Sequence, residues 1–345
     1  MPNGVVNKIY HIEVDFGKLS FDKGKNENSS YYKLFIPIKS WLLVELLSAI
    51  LVLGVILRER RGNYSLINFH IAYPNLTYFK YIKKWIKTPL LITEHWSAYH
   101  FQFNVKDISK LKRIQNIFHH NIPVIGVSGA LLEDIKKFSG ASFPAYVVPN
   151  VVDTAIFLKD DSIQRNENEF LMVSQWKWPK DPLTVIRAWK EIVNKNPSLK
   201  LRIGGYGPQW EEMKTLVKDL KLEDQITFLG TLNPKEIAGE MQKACAFIHC
   251  SEYETFSVVC AEALCCGTPV IASKVGGIQE FVNHKNGVLF ENKEKAKLSE
   301  IIQTFNEKMF DEKEIANRAK EKFSSDSVGN KYFEVIKKVI AETNQ

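Results

Sequence analysis

The sequence predicts an α/β protein made of two doubly wound halves, and three observations support this fold class. From Tyr64 onward, apolar runs of four to six residues alternate with helical stretches, a pattern typical of parallel strands in βα units. The length of 345 residues is enough for two domains that each have their own core. A polar stretch, residues 160–168, interrupts the alternation once before it resumes. We expect ligands to bind at the carboxyl ends of the strands.

The chain opens unusually for such a fold. Residues 8–15 form a β-like run and a charged loop follows, without the succession of strand, glycine-rich loop and helix that would open a βα unit. Residues 41–57 then form an apolar run of 17 residues that contains Glu45. Because a membrane-spanning helix needs roughly 20 residues, we predict a helix buried against a sheet. Contact with a membrane interface is the second interpretation, and a true span is the third.

The remaining elements follow from the apolar runs and the polar segments that separate them. In the first half we predict strands at 65–71, 89–93, 124–127 and 146–148 and helices at 75–87, 105–120 and 130–138. In the second half we predict strands at 170–174, 199–203, 225–229, 246–249, 270–272 and 287–290, helices between them, and three helices over 291–343. The predicted domains are 1–160 and 161–325, followed by a C-terminal helix, 326–345, that could pack back towards the first domain.

Charge and cysteine content narrow the class of protein. Residues 1–150 carry 19 basic and 10 acidic side chains, whereas the rest carry 27 and 29, so an anionic partner is expected for the first half. The basic residues are scattered and no nucleic-acid motif is present, which favours an anionic membrane surface or a pyrophosphate-linked lipid over nucleic acid; a merely solvated surface is the alternative. Five cysteines within residues 245–266, none at zinc spacing, indicate reduced thiols, a cytoplasmic location and no metal site.

The most informative motif consists of two carboxylates eight positions apart, Glu254 and Glu262. Glu254 lies in a polar turn, and Glu262 lies in a predicted short helix, residues 257–266. We expect the turn that starts this helix to lie near Thr255. The free N–H groups at such a helix start suit a diphosphate, and the carboxylates can accept hydrogen bonds from sugar hydroxyls. The alternative is an acidic first turn with an incidental second glutamate.

This pattern closely resembles the Glu-x7-Glu signature of glycosyltransferase family 4, which contains retaining enzymes of the GT-B fold that use nucleotide-sugar donors. The resemblance implies two Rossmann-like domains facing a cleft, here without the usual first βα unit of the N-terminal domain. It also implies that Glu254 is catalytic and holds the donor sugar, and that Glu262 holds the ribose of the nucleotide. The turn residues around the donor diphosphate would be Thr255, Phe256, Ser257 and Val258.

Residues 173–182 (VSQWKWPKDP) resemble the family segment Gly-Arg-x4-Lys, whose two cations neutralise the donor diphosphate. Lys180 matches the lysine, Gln175 stands where the arginine is usual, and Lys177 could replace it. Positive charge is needed here because the leaving nucleotide diphosphate gains negative charge in the transition state. A solvated lysine at a strand–helix turn is the alternative for each of these cations.

Further motifs extend the resemblance. Gly205, in a glycine-rich turn, would allow close packing near the nucleotide, and the backbone of Thr231 and Leu232 would contact the base. His95, at the carboxyl end of a predicted strand, would be catalytic, near the donor sugar and the acceptor. Three residues are candidates for the acceptor side, namely Glu94, His70 and Tyr73.

The resemblance implies a metal-independent, hexosyl-type glycosyltransferase without a cofactor. Its donor would be a nucleotide sugar, with UDP or GDP favoured, and its acceptor a glycan or a lipid-linked molecule in cell-surface polysaccharide biosynthesis. The protein would be cytoplasmic, with peripheral binding to the inner face of the plasma membrane as an option. A catalytically impaired binding or partner subunit is one alternative, suggested by Gln175 and the missing first unit. A nucleotide-sugar epimerase or a sugar phosphorylase on the same fold is another.

Overall fold

The computed structural model describes residues 8–25, 29–59, 62, 64–291 and 297–343. The chain divides into two compact units. The first contains the described residues up to Val148 and those from Gly329 onward, and the second is Pro149–Val328. The segment after Val148 packs within the second unit, where the Val152 N–H donates to the Phe323 carbonyl.

The first unit opens with a three-stranded sheet in the order β1-β3-β2. Its strands are β1 (Ile9–Phe16), β2 (Ser20–Lys25) and β3 (Ser29–Ile36). β1 runs parallel to β3, and β2 runs antiparallel to it. The charged loop predicted after residue 15 is therefore wrong, because its charged residues occupy a strand whose side chains are mostly exposed.

Helix α1 (Trp41–Glu59) packs one side on this sheet, where Val44 joins Val14 and Ile36 in a small core. The prediction of a buried helix holds only for this side of α1, because just 28% of the most apolar 18-residue stretch of the helix is buried. The helix extends the apolar run to 19 residues. By length and composition alone, it is long and apolar enough to cross a membrane.

A parallel four-stranded sheet in the order β4-β5-β6-β7 completes the strands of the first unit. The strands are β4 (Ile67–His70), β5 (Leu90–Glu94), β6 (Val124–Gly126) and β7 (Ala145–Val147), and the helices are α2 (Phe79–Ile82), α3 (Ile108–Phe118) and α4 (Gly129–Ser139). The helix predicted at 75–87 is wrong in extent, because only α2 and a 3₁₀ turn, Lys83–Trp85, form there. Leu76, Phe79 and Ile82 are buried at a spacing of three residues, which suits the tighter 3₁₀ winding.

The second unit is a doubly wound domain with a parallel six-stranded sheet in the order β10-β9-β8-β11-β12-β13. The strands are β8 (Asn166–Gln175), β9 (Lys200–Tyr206), β10 (Ile226–Gly230), β11 (Ala244–His249), β12 (Val270–Ser273) and β13 (Gly287–Phe290). The helices are α5 (Pro182–Lys195), α6 (Trp210–Asp219), α7 (Pro234–Lys243), α8 (Val258–Cys265), α9 (Leu298–Thr304), α10 (Glu312–Phe323) and α11 (Ser325–Thr343), whose residues from Gly329 onward belong to the first unit. Its core contains Phe170 and Trp189, whose rings meet edge to face at 5.6 Å.

The order of strands places a topological switch point between β8 and β11. From β8 the chain builds outward through β9 to β10, and it then returns to add β11 on the other side of β8. Because all six strands are parallel, the carboxyl ends of β8 and β11 meet at one edge of the sheet. This is the position where doubly wound domains bind ligands.

Candidate active site

Two loops leave the switch point and are joined by their backbones. Lys180, in the loop after β8, pairs with Ser251, in the loop after β11. The Asp181 N–H donates to the Cys250 carbonyl at 3.0 Å, and the Glu252 N–H donates to the Pro179 carbonyl at 2.8 Å. These bonds bring together side chains that are about 70 positions apart in the sequence.

Glu254 is the centre of a buried cluster of charged and polar side chains. Its side chain pairs with the Lys180 ammonium through Oε1. The same oxygen lies 2.6 Å from Nε2 of His249, whose ring is also 3.4 Å from the Ser257 hydroxyl. Glu254 and His249 are 9% and 3% exposed, so the polar turn predicted for this carboxylate is buried within the fold. The sequence motifs did not predict His249 as part of the site.

The electrostatics of the cluster favour an ionised Glu254. Burial would raise the pKa of its carboxyl group, but the His249 hydrogen bond and the charges nearby lower that pKa to about 2. Burial, followed by the Lys180 charge, lowers the pKa of His249. A neutral imidazole must then donate from Nε2, because an ionised carboxylate only accepts hydrogen bonds.

The range predicted for this helix, residues 257–266, agrees with α8 to within one residue at each end, but the expected start near Thr255 is three residues too early because α8 begins at Val258. Ser257 has φ 75° and ψ 82°, a left-handed conformation that cannot continue a helix turn. Thr255 and Phe256 therefore belong to the loop, and the free N–H groups lie at the first residues from Val258. Phe256 is buried against Phe281, with ring centroids 5.1 Å apart, so it anchors the loop in the core.

Glu262 lies on α8, eight positions after Glu254. Burial raises the pKa of its carboxyl group to about 7. This places the two carboxylates of the motif in opposite electrostatic environments. The partners of Glu254 keep its carboxylate ionised, whereas burial favours the protonated form of Glu262. A hydrogen-bond donor next to Glu262 would stabilise its charged form.

A glycine-rich turn supports the loop after β8. Gly205 has φ 114°, and a Cβ there would lie 1.9 Å from the Ser174 carbonyl oxygen. Gly207 has φ 145°, and its Cβ would lie 2.3 Å from the carbonyl oxygen of Trp176, whose Nε1–H donates to Gly204 at 3.0 Å. The close packing that the sequence predicted for Gly205 is thus present within the fold.

The other residues predicted in the second half lie at the same edge of the sheet. Gln175 ends β8, and its side chain is exposed, as is that of Lys177. Thr231 and Leu232 directly follow β10, with Thr231 exposed and Leu232 half-buried beside Gly204. These residues therefore lie at or just after the carboxyl ends of two parallel strands, β8 and β10.

In the first unit, His70 and His95 lie at the ends of neighbouring strands, and their rings stack with centroids 6.2 Å apart. The Asn68 amide contacts His70 Nε2 at 3.1 Å and also binds the Tyr332 hydroxyl. Burial, then the adjacent His95, lowers the pKa of His70. Tyr332, on α11, was not predicted, since the contact joins residues 264 positions apart.

Glu94 and Tyr73 lie deeper in the first unit. Glu94 is fully buried, accepts hydrogen bonds from the Ala72 N–H at 2.7 Å and the Tyr99 hydroxyl, and has its pKa raised to about 7 by burial. The Tyr73 hydroxyl donates to Glu45 at 3.2 Å. Glu45 in turn pairs with Arg113 at 2.7 Å, which fixes α1 to the body of the unit. These contacts hold the loop after β4 in place.

None of the five cysteines forms a disulfide, and all are buried. In the parts of the chain that the structure describes, no group of three or more His, Cys, Asp or Glu side chains is arranged to hold a metal ion.

Comparison with known proteins agrees with this geometry. The model of the family described as glycosyl transferases group 1 matches residues 154–322, which lie within the second unit. N-acetyl-alpha-D-glucosaminyl L-malate synthase of Bacillus anthracis is 26% identical over 65% of this chain and 60% of its own length. Alpha-monoglucosyldiacylglycerol synthase of Streptococcus pneumoniae is 25% identical over 48% of this chain and 40% of its own length. The chain thus spans less than two thirds of the length of these relatives.

Solved structures establish the fold. Sucrose-phosphate synthase from Thermosynechococcus elongatus aligns with a TM-score of 0.76 over 98% of this chain and 90% of its own, at 18% identity. Anabaena HepE in complex with UDP and glucose aligns with a TM-score of 0.70 over 90% of this chain and 86% of its own, at 21% identity. The predicted GT-B fold class is confirmed, and residues 154–322 match the glycosyl transferases group 1 family.

Proposed function

We propose that this protein is a glycosyltransferase that moves a sugar from a nucleotide diphosphate donor to an acceptor with retention of configuration. The observation that carries the proposal is the cluster of Lys180, Glu254 and His249 at the switch point, with Glu262 eight positions after Glu254. Each charge in this cluster has a use in such a reaction, and the family match covers the unit that holds it.

The donor would be held by the second unit. The Lys180 ammonium and the first N–H groups of α8 supply positive charge where a leaving diphosphate gains negative charge. Glu254 would accept hydrogen bonds from the donor sugar, and Glu262 from the ribose. We propose that these groups act without a metal ion. Retention rests on the family resemblance, and determination of the anomeric form of the product by NMR tests it.

The donor and acceptor classes rest on relatives. HepE was solved with UDP and glucose, and the relatives include transferases named for N-acetylglucosamine or glucose and for lipid or glycerol-phosphate acceptors. We therefore propose a UDP-hexose as the first donor to test, with GDP-sugars next, and a glycan or lipid-linked acceptor of cell-surface polysaccharide synthesis. The experiment is a thermal-shift and calorimetry panel of nucleotide sugars, followed by transfer assays with each binder. Absence of binding to every nucleotide sugar would refute the proposal.

We further propose that the first unit binds an anionic membrane surface at the cytoplasmic face. Leu42, Leu46 and Ile50 are between 45% and 55% exposed and recur every four residues, so they form one apolar stripe along α1. Lys80 and Lys84 lie over the exposed rings of Tyr81 and Trp85, a combination of basic and aromatic side chains that suits lipid headgroups.

A catalytically impaired binding subunit is a second candidate function, favoured by the exposed, uncharged Gln175 where the family motif has arginine. The two candidates differ in turnover. Donor hydrolysis or transfer above background supports the enzyme, whereas donor binding without either supports the subunit.

A further inference from the structure

Lys180 and Glu254 form an ion pair, although the proposed function has Lys180 bind the donor diphosphate and Glu254 bind the donor sugar. The following inference rests on that proposed function. Both side chains are mostly buried, with 19% and 11% exposed. An ammonium that neutralises a diphosphate cannot keep its full contact with the carboxylate. A buried carboxylate that loses its cation is strongly destabilised unless other donors hold it.

His249 supplies the second donor to the same oxygen. It ends β11, where its backbone pairs with Ala272 of β12, and its ring stacks on Phe247 with centroids 6.3 Å apart. The ring is therefore fixed by the sheet and by burial. Lys180 instead reaches Glu254 with a flexible stem of four methylene groups, so it is the partner that can turn towards a ligand.

We propose that His249 is a positioning residue that retains the Glu254 carboxylate when Lys180 turns to the donor diphosphate. The ion pair of Lys180 and Glu254 is then the ligand-free form of the donor site. In the ligand-bound form, the neutral His249 donates from Nε2 to Glu254, and the carboxylate stays ionised and aimed at the sugar. The Ser257 hydroxyl also lies near this ring nitrogen, at 3.4 Å.

The first consequence concerns competition between carboxylate and diphosphate. Glu254→Gln removes the negative charge that competes for Lys180 but keeps the shape of the side chain. UDP, which has a diphosphate and no sugar, should therefore bind this variant more tightly than the wild type, by roughly three- to tenfold. Transfer by the same variant should fall, since the carboxylate is lost.

The second consequence separates positioning from structural support. His249→Leu removes the donor to Glu254 and should lower kcat by at least about tenfold while KM for the donor and the Kd for UDP change little. His249→Gln retains an amide N–H that can donate to Glu254, so it should recover much of the lost kcat. A purely structural role would lower thermal stability and both kinetic constants together, without this rescue.

The experiment measures UDP and GDP affinity and steady-state kinetics for the wild type, Glu254→Gln, His249→Leu and His249→Gln. A wild type that binds neither nucleotide would contradict the proposed function itself. A wild type that binds and transfers, with no tighter binding in Glu254→Gln and no loss of kcat in His249→Leu, would overturn the role of His249 alone. If His249→Leu does not fold, the proposal is tested instead by following the His249 Nε2–H resonance of the wild type by NMR. It should persist when UDP is added, and its disappearance would overturn the proposal.

Discussion

Gly276 lies directly on the backbone of Glu254. A Cβ at Gly276 would be 1.6 Å from the Glu254 carbonyl oxygen, and the next residue, Gly277, donates its N–H to that oxygen at 3.1 Å. Gly276 also has φ 46°, a conformation that side chains disfavour. The turn after β12 therefore sets the position of the loop that carries the central carboxylate of the site.

Substitution of this glycine is the first prediction. Gly276→Ala must displace the Glu254 backbone, so we expect a loss of about 2 kcal/mol or more in the free energy of unfolding. Nucleotide affinity should fall as well. Gly239→Ala is the matched control in the same unit, since a Cβ there meets nothing within 4 Å and the residue lies in α7. Urea unfolding should show no loss for the control, and equal stability of the two variants would contradict the prediction.

The two motif carboxylates provide the second prediction. Glu254→Gln and Glu262→Gln should each reduce transfer by at least about tenfold, roughly 1.4 kcal/mol of transition-state binding. Glutamine is preferred to alanine, because truncation of Glu254 would leave Lys180 buried without its carboxylate partner. The control is Glu211→Gln on the exposed surface of α6. Full activity in both site variants would remove the basis of the proposed function.

The third prediction concerns the cation. Lys180→Ala should weaken nucleotide binding in calorimetry, because the ammonium is the buried positive charge next to the loop that leads to α8. Lys177→Ala is the comparison within the same loop. Its side chain is exposed, so we expect a much smaller loss. Chelator should leave the wild-type affinity unchanged, and a chelator-sensitive affinity would argue for a metal-dependent reaction.

The pKa of Glu262 gives the fourth prediction. Burial raises the pKa of the Glu262 carboxyl group from the ordinary 4.5 to about 7. Between these two pH values, the folded protein therefore keeps a proton on Glu262 that the unfolded chain has released. The stabilising effect of that proton is present below pH 4.5 and is lost as pH rises through about 7. Glu262→Gln, which mimics the protonated group, should therefore gain stability relative to wild type across this window, by at most about 3 kcal/mol. A difference that does not change with pH would contradict the raised pKa.

The order of elements in both units was predictable from alternating apolar runs, because strands buried on both faces appear as short continuous hydrophobic segments. The predicted strands at 124–127 and 287–290, for example, coincide with β6 and β13 to within one residue. The small sheet at the start was only partly predicted, since β2 is exposed and its charged side chains match those of a loop. The left-handed Ser257 that delays α8 leaves no clear signal in sequence.

The site was predictable where spacing or family pattern marked it, as for Glu254, Glu262 and Lys180. His249 could have been predicted from the sequence. It lies at the end of a predicted parallel strand, which is the reason that His95 was chosen. The pairing of Lys180 with Glu254 was not predictable, since it depends on backbone bonds between two loops about 70 residues apart. The contact of Tyr332 with Asn68 depends on the path of α11, which no local pattern encodes.

The last prediction concerns the membrane. The proposed surface combines the apolar stripe of α1 with the basic and aromatic residues of α2 and of the 3₁₀ turn that follows it. Basic residues near an anionic bilayer contribute roughly 1 kcal/mol each at low salt, and this contribution is screened as the Debye length shrinks to about 10 Å at 0.1 M salt. Lys83→Glu combined with Lys84→Glu should therefore weaken binding to anionic liposomes by at least about tenfold at low salt, without a change in nucleotide affinity.

A second pair of substitutions separates charge from apolar contact. Leu46→Ser with Ile50→Ser removes exposed apolar area from the stripe and should weaken liposome binding at both low and high salt, since hydrophobic burial is not screened. Leu46 and Ile50 are on the outer side of α1, away from Glu45 and Val44, so the fold should be retained. Equal sedimentation of the wild type with neutral and anionic vesicles, insensitive to salt, would rule out the electrostatic part and leave α1 as a hydrophobic anchor. Loss of binding in the lysine variant alone would instead show that the surface acts through charge and that the stripe has another role.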